Sequence, residues 1–241
     1  NYQLVAGRLI TYHLRKQVYG QFEVPHLKTI VDANIANKMY DPLLTEWYSY
    51  EEFDQLEKWI DHKRDENYTY AAMEQFRGKY LVQDRSTGNV FETPQYMYMM
   101  IALTLFQEYK EDRLSYVKRY YDAISKHKIN IPTPIMAGVR TTLRQFASCV
   151  LVDCDDSLNS IFSSDMAIGR YVAQRAGIGI NAGRIRGINA KIRGGEVQHT
   201  GVVPFLKKFE STFYSSSIEI DIMKGFALRS LIKLEVGKRK K

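Results

Sequence analysis

Through the first ~145 residues apolar positions recur mostly at helical spacing. Leu4, Leu9, Tyr12 and Tyr19 predict one helix, ended by Gly20 and Pro25. HLKTIVDANIANKM and EEFDQLEKWIDH repeat the pattern, and Glu51 and Glu52 sit near the start of the second, where negative charge suits the helix dipole. YLVQDRSTGNVFE breaks the rhythm: two short apolar runs flank a Ser-Thr-Gly-Asn turn, which predicts a β-hairpin. Pro94 then opens a helix through MYMMIALTLF, and another runs from Arg113 to about Lys126.

After Ile131 the pattern changes. Pro132-Thr133-Pro134 interrupts the helices, glycines become common, and short apolar runs alternate with one long helical stretch, a βαβ-like order. FASCVLVD reads as a parallel strand, apolar enough to be buried on both faces. Asp156-Ser157 can cap a helix from Leu158 to Ala176, which Gly177 can end. GIGIN predicts the next strand and HTGVVPFLKKFESTFY the next helix. The expected class is therefore α/β behind a mostly helical front, with 1–145 helical, 146–217 strand and helix, and 218–241 a separate tail.

With 241 residues, 45% of them hydrophobic, the chain can bury a sizeable core. No apolar run reaches the ~18 residues of a membrane span, and the N-terminal stretch is charged where a signal peptide is apolar, so a cytoplasmic location without membrane partners is expected. The chain starts at Asn1 without a methionine, and residues are expected to precede it. Cys149 and Cys154 are the only cysteines and the five histidines lack ligand spacing, so neither a disulfide framework nor a metal site is expected. Of the net charge of +7, four units belong to Ile218–Lys241, where seven basic residues face three acidic ones. Such a tail either contacts nucleic acid weakly through phosphates or is simply solvated, and no specific nucleic-acid partner is expected.

The candidate chemistry lies between Pro132 and His199. Cys149 is either a small core residue or a redox thiol. Strand alternation puts Ser148 and Cys149 on opposite faces, so both serve one ligand only at a strand end or a twist. Hydroxyls at Thr133 and Ser148, with small residues Ala176 and Gly177, suit a diphosphate, since they donate hydrogen bonds and admit oxygens closely. A structural turn is the competing reading of Gly177-Ile178-Gly179. Its helix-to-strand order excludes a Rossmann phosphate loop. Arg184, Arg186 and Arg193 lie among glycines, as a phosphate-binding loop or a solvated one, and Asp156 could accept a ribose hydroxyl.

The segments YGQFEVP, RGKYLVQDR, YVKRYYDAISKHKINIPTPIMAGVRTTLRQFASCVL and QRAGIGINAGRIRG closely resemble the large subunit of class Ia ribonucleotide reductase of bacterial and phage type, and the resemblance runs to about Ser216. It implies a helical region leading into a ten-stranded α/β barrel, incomplete in this chain, with FASCVLVD as its first strand. It further implies that Cys149 is one of two cysteines that reduce the ribose. Thr133, Ser148, Cys149, Ala176 and Gly177 then fall on ribonucleoside-diphosphate positions, and Asp156, Ser157, Leu158, Arg186 and Arg193 on a specificity site for a deoxynucleoside triphosphate or ATP. Lys16 resembles a residue bordering the family's activity-sensing ATP cone, which is otherwise missing or truncated.

The resemblance also defines what this chain lacks. The family's radical cysteine, the partner of Cys149 and the closing strands lie further downstream than this sequence extends. From Ile218 the text departs from the family and becomes a tail whose Ile220, Met223, Ala227, Leu231 and Leu234 are spaced for an amphipathic helix with a basic end. We therefore expect half of a large subunit split between two genes. Its expected partners are a complementary C-terminal large-subunit fragment, a small subunit carrying a diiron-tyrosyl radical, a second copy of the chain, and thioredoxin or glutaredoxin, with no covalently bound cofactor. The alternatives are an inert remnant or a regulatory nucleotide-binding module.

Overall fold

A computed structural model describes residues 2–217. The basic amphipathic helix expected in the 218–241 tail lies outside the described residues. The chain forms two compact units that part between Phe146 and Ala147.

The first unit is helical: α1 (Tyr2–Tyr19), α2 (Leu27–Ala36), α3 (Leu44–Trp47), α4 (Tyr50–Glu57), α5 (Tyr70–Gln75), α6 (Pro94–Phe106), α7 (Arg113–Ser125) and α8 (Thr133–Gly138). Helix α1 turns inward on Gly7, Ile10, Thr11, Leu14 and Arg15, while Leu9 and Tyr12 of the expected apolar face are exposed. Gly7 decides this orientation, because a Cβ there would lie 1.9 Å from the Tyr68 carbonyl oxygen and only glycine lets the two backbones meet. Ser49 opens α4 with a capping box: its hydroxyl accepts from the Glu52 amide at 3.3 Å, and the Glu52 carboxylate accepts from the Ser49 amide at 2.8 Å. The predicted hairpin is present as β1 (Gln83–Asp84) paired antiparallel with β2 (Asn89–Val90).

Helix α6 is the centre of this unit. Pro94 occupies its first turn, and every residue from Pro94 to Leu103 is buried, so neighbours cover it on all sides. Two polar networks are enclosed with it. Arg140 and Glu92, both fully buried, form an ion pair; Glu92 also accepts from the Tyr40 hydroxyl at 2.5 Å and the Val82 amide at 2.7 Å. Asp65 accepts from Gln95 at 2.8 Å, and Tyr121 donates to Gln95 at 2.7 Å. Burial pushes the Asp65 carboxyl up to about 7, against the Gln95 hydrogen bond and the nearby Arg15 charge. His62, which shares the 3-10 segment His62–Asn67 with Asp65, is driven down to about 4 by burial and by Arg15.

The second unit contains β3 (Cys149–Asp153), α9 (Leu158–Ala173), β4 (Gly177–Asn181), the antiparallel hairpin of β5 (Ile188–Ile192) and β6 (Val197–Thr200), and α10 (Val203–Ser216). Strands β3 and β4 are parallel, with Cys149 opposite Gly177 and Asp153 opposite Asn181. Ile161, Ile168 and Val172 of α9 and Phe209 of α10 pack with Val150, Val152, Ile178 and Ile180. Asp165 bonds the two helices by accepting from Thr212 at 2.6 Å and pairing with Lys208.

Four sequence expectations are corrected in this unit. FASCVLVD is buried on one face only: Leu151 is 88% exposed, because the helices of this unit pack on the other side of the sheet. The long helix stops at Ala173 rather than Ala176; Arg175 takes a left-handed φ of 66°, and Ala176 and Gly177 lead into β4 instead of ending the helix. His199 and Thr200 belong to β6, so the last helix starts at Val203. The arginine-glycine segment is only partly a loop, since from Ile188 it forms the β5–β6 hairpin.

Candidate functional site

Cys149 is the first residue of β3, exposed and unpaired with any other cysteine, whereas Cys154 is completely buried. Alternation along the strand puts Cys149, Leu151 and Asp153 on the open face. Their parallel neighbours on β4 are Gly177, Gly179 and Asn181. Beside the thiol, therefore, the adjacent strand presents backbone without side chains. A Cβ on Gly179 would meet the Leu151 side chain at 2.7 Å, so Leu151 lies across this bare backbone.

Ser148 precedes the strand, and its hydroxyl lies 3.9 Å from the Cys149 sulfur. Its carbonyl accepts from the Gly177 amide at 2.8 Å. The strand end thus brings Ser148 and Cys149 together, the exception that alternation allowed. Ala176 is buried just before β4, its amide bonded to the Tyr171 carbonyl at 3.0 Å. Ser148, Cys149, Ala176 and Gly177 consequently meet at the starts of two paired strands. Thr133 lies in the other unit, exposed in the first turn of α8.

The second constellation forms at the opposite ends of these strands and the start of α9. Ser157 alone is the N-cap, its hydroxyl accepting from the Ser160 amide at 3.2 Å. Asp156, expected to share the cap, instead accepts from the Arg186 amide at 3.1 Å and from Arg186 Nε at 2.8 Å. Partial burial works against ionisation of Asp156, but these bonds, the guanidinium charge and His199 outweigh it and hold the carboxyl below the usual range. Leu158 begins α9 and is 64% exposed. Arg193 stands in the β5–β6 turn with φ of 49° and makes no side-chain hydrogen bond or ion pair among the described residues. The geometry thus joins Asp156, Ser157, Leu158 and Arg186, and places Arg193 on the hairpin rather than in their network.

Sequence reasoning missed Asp153. It accepts from Asn181 Nδ2 at 2.9 Å and pairs with Arg184 at 3.1 Å. An acidic residue ending one parallel strand opposite an asparagine ending the next is a detectable signal, but only once their register is known. Lys16 is exposed on α1, its ammonium 5.6 Å from the Phe22 ring centre. Among the described residues no group of three or more His, Cys, Asp or Glu side chains could hold a metal ion, and no helix is long and apolar enough to cross a membrane.

Comparison with known families finds two matches: "Ribonucleotide reductase, all-alpha domain" over residues 66–144 and "Ribonucleotide reductase, barrel domain" over residues 147–218. The chain is 54% identical over 218 residues to the ribonucleoside-diphosphate reductase 1 subunit alpha of Escherichia coli and 47% identical over 221 residues to the subunit alpha of Enterobacteria phage T4. In both cases 90% of this chain is aligned, but it spans only 29% of the relative. A more distant relative, the subunit alpha of Treponema pallidum, is 28% identical over 174 residues, 72% of this chain and 20% of the relative.

Proposed function

Because the chain belongs to the ribonucleotide reductase large-subunit family, with an all-alpha domain followed by the beginning of the barrel domain, we propose that it supplies one half of the site that converts ribonucleoside diphosphates to deoxyribonucleoside diphosphates. The observation that carries this reading is Cys149 on the open face of β3, beside glycine backbone and within 3.9 Å of the Ser148 hydroxyl. A thiol there can meet a ribose whose diphosphate is held by backbone amides and by the Ser148 hydroxyl, with Ala176 and Gly177 leaving room for its oxygens.

In this role Cys149 and a second cysteine deliver two electrons and two protons, the 2′-hydroxyl leaves as water, and the thiols become a disulfide. Thioredoxin or glutaredoxin restores them. The second cysteine and the radical cysteine come from a complementary C-terminal large-subunit fragment, which completes a ten-stranded barrel by covering the face on which Leu151 is exposed. A small subunit with a diiron-tyrosyl centre generates the radical. Asp156, Ser157, Leu158, Arg186 and Arg193 form this chain's share of a specificity site for a deoxynucleoside triphosphate or ATP, and Lys16 borders the activity-sensing region. Leu158, Phe162 and Met166, exposed at four-residue spacing along α9, suit pairing with a second copy of the chain.

The test is to purify the chain from its native expression context, identify the polypeptides that accompany it, and assay CDP reduction with small subunit, reductant and effector. The reading requires a second polypeptide carrying the remaining cysteines, and turnover by the complex. A chain that comes alone and inactive yet binds deoxynucleoside triphosphates is a remnant or a regulatory module.

A further inference from the structure

The arginine loop between β4 and β5 contains Gly183 and Gly187, residues that leave a backbone free to wander. Yet it is tied down at successive points. Ala182 and Ile185 are buried in the core of the second unit. The Asn181 carboxamide serves two partners: its oxygen accepts from the Gly183 amide at 3.0 Å, and its nitrogen donates to Asp153 Oδ1 at 2.9 Å. The other Asp153 oxygen pairs with Arg184 at 3.1 Å. The final tether is Arg186 on Asp156, which uses the backbone amide and Nε and leaves both Nη nitrogens without a protein partner among the described residues.

Stability does not account for this arrangement. Arg184 and Asp153 are 59% and 51% exposed, and a pair so open to water adds little to folding. Geometry accounts for it better, because a guanidinium recognises phosphate by the fixed orientation of its fork, and a swinging loop forfeits that advantage. Asp153 also shares its sheet face with Cys149, four residues away, about 13 Å at 3.3 Å per residue.

From this we infer that Asp153, Asn181 and Arg184 are positioning residues: a clamp that orients the 182–187 loop so that Arg186 receives the triphosphate of the effector, without themselves touching it. This rests on the specificity-site reading of Arg186 above. It adds three residues to that site and assigns Arg184 to the scaffold rather than to phosphate binding.

Equilibrium dialysis of dTTP against the full chain, alongside thermal unfolding, tests the clamp. Asn181→Ala should weaken dTTP binding about three- to tenfold, as expected for losing one or two hydrogen bonds, with the melting temperature unchanged. Arg184→Ala should weaken it similarly, but should add no further loss to Asp153→Ala, because Arg184 acts only through that carboxylate. Binding by Asn181→Ala equal to wild type overturns the inference. So does a further loss when Arg184→Ala is added to Asp153→Ala, which would mean that Arg184 touches the phosphate itself. If Asn181→Ala lowers the melting temperature, the double variant alone decides. A wild-type chain that binds no dTTP defeats the specificity-site reading and the clamp together, an outcome distinct from either of these.

Discussion

Helix α6 in the first unit buries ten successive residues, Pro94 to Leu103, whereas β3 in the second leaves Cys149, Leu151 and Asp153 of its five residues exposed. The helical unit closes its core around charge: Arg140, Glu92 and Asp65 are enclosed with their partners and unavailable to a ligand. The strand-helix unit does the reverse, covering one sheet face with α9 and α10 and leaving its thiol, its glycine backbone and its arginines accessible. Enclosed polar groups contribute to a unique packing, while exposed ones on a half-covered sheet require something else to complete them.

That contrast can be broken at its strongest point by removing one partner of the enclosed pair. Glu92→Ala leaves the Arg140 charge buried and should destabilise the helical unit by about 3–5 kcal/mol, measured by urea unfolding followed through tyrosine fluorescence. A loss below about 1 kcal/mol would mean that water reaches the pair.

The buried Asp65 and His62 sharpen the comparison through pH. Asp65 has a raised folded value near 7, so its contribution to stability is complete below the unfolded carboxylate range and is lost as pH rises through about 7. His62 has a depressed value near 4, so its contribution is present above about 6.5 and is lost as pH falls toward 4. Between about pH 4 and 6.5 the two slopes, each about 1.4 kcal/mol per pH unit at most, oppose one another. Asp65→Asn should therefore expose a fall in stability on acidification over that window, and His62→Gln a rise. Identical profiles for wild type and both variants would show that neither group is desolvated.

Smaller effects are expected in the open unit. Ser157→Ala removes the N-cap of α9 and should cost about 1 kcal/mol, read from thermal unfolding. Leu151→Ser, on the uncovered face, should change the stability of the chain by no more than about 0.5 kcal/mol, yet weaken association with the complementary polypeptide. A large loss of stability in the chain alone would mean that Leu151 is already covered.

How much of this was legible in the sequence follows the same division. In the helical unit, Pro94 at a helix start and the Ser-Thr-Gly-Asn turn of the hairpin announce themselves locally, since each is dictated by backbone chemistry within a few residues. The inward face of α1 was not legible, because it depends on Gly7 meeting the Tyr68 carbonyl from a distant segment. In the open unit the strands at Cys149 and Gly177 were readable from apolar runs. Their exposure was not, because runs such as CVLV look the same whether one face is covered or two. The end of α9 was misplaced because Arg175, not a glycine, takes the left-handed turn. The candidate residues were identified by type and resemblance, but the Asp156–Arg186 bond and the Asp153–Asn181–Arg184 clamp depend on side chains brought together by strand register, which no local pattern encodes.

The most direct test of the proposed role compares Cys149→Ser with Cys154→Ser in the CDP reduction assay, using the complex purified with its complementary polypeptide. The exposed thiol should be indispensable, with turnover abolished in Cys149→Ser while Cys154→Ser, altered at a buried position, retains multiple turnovers. Undiminished turnover by Cys149→Ser would contradict the assignment of the reducing cysteine to β3.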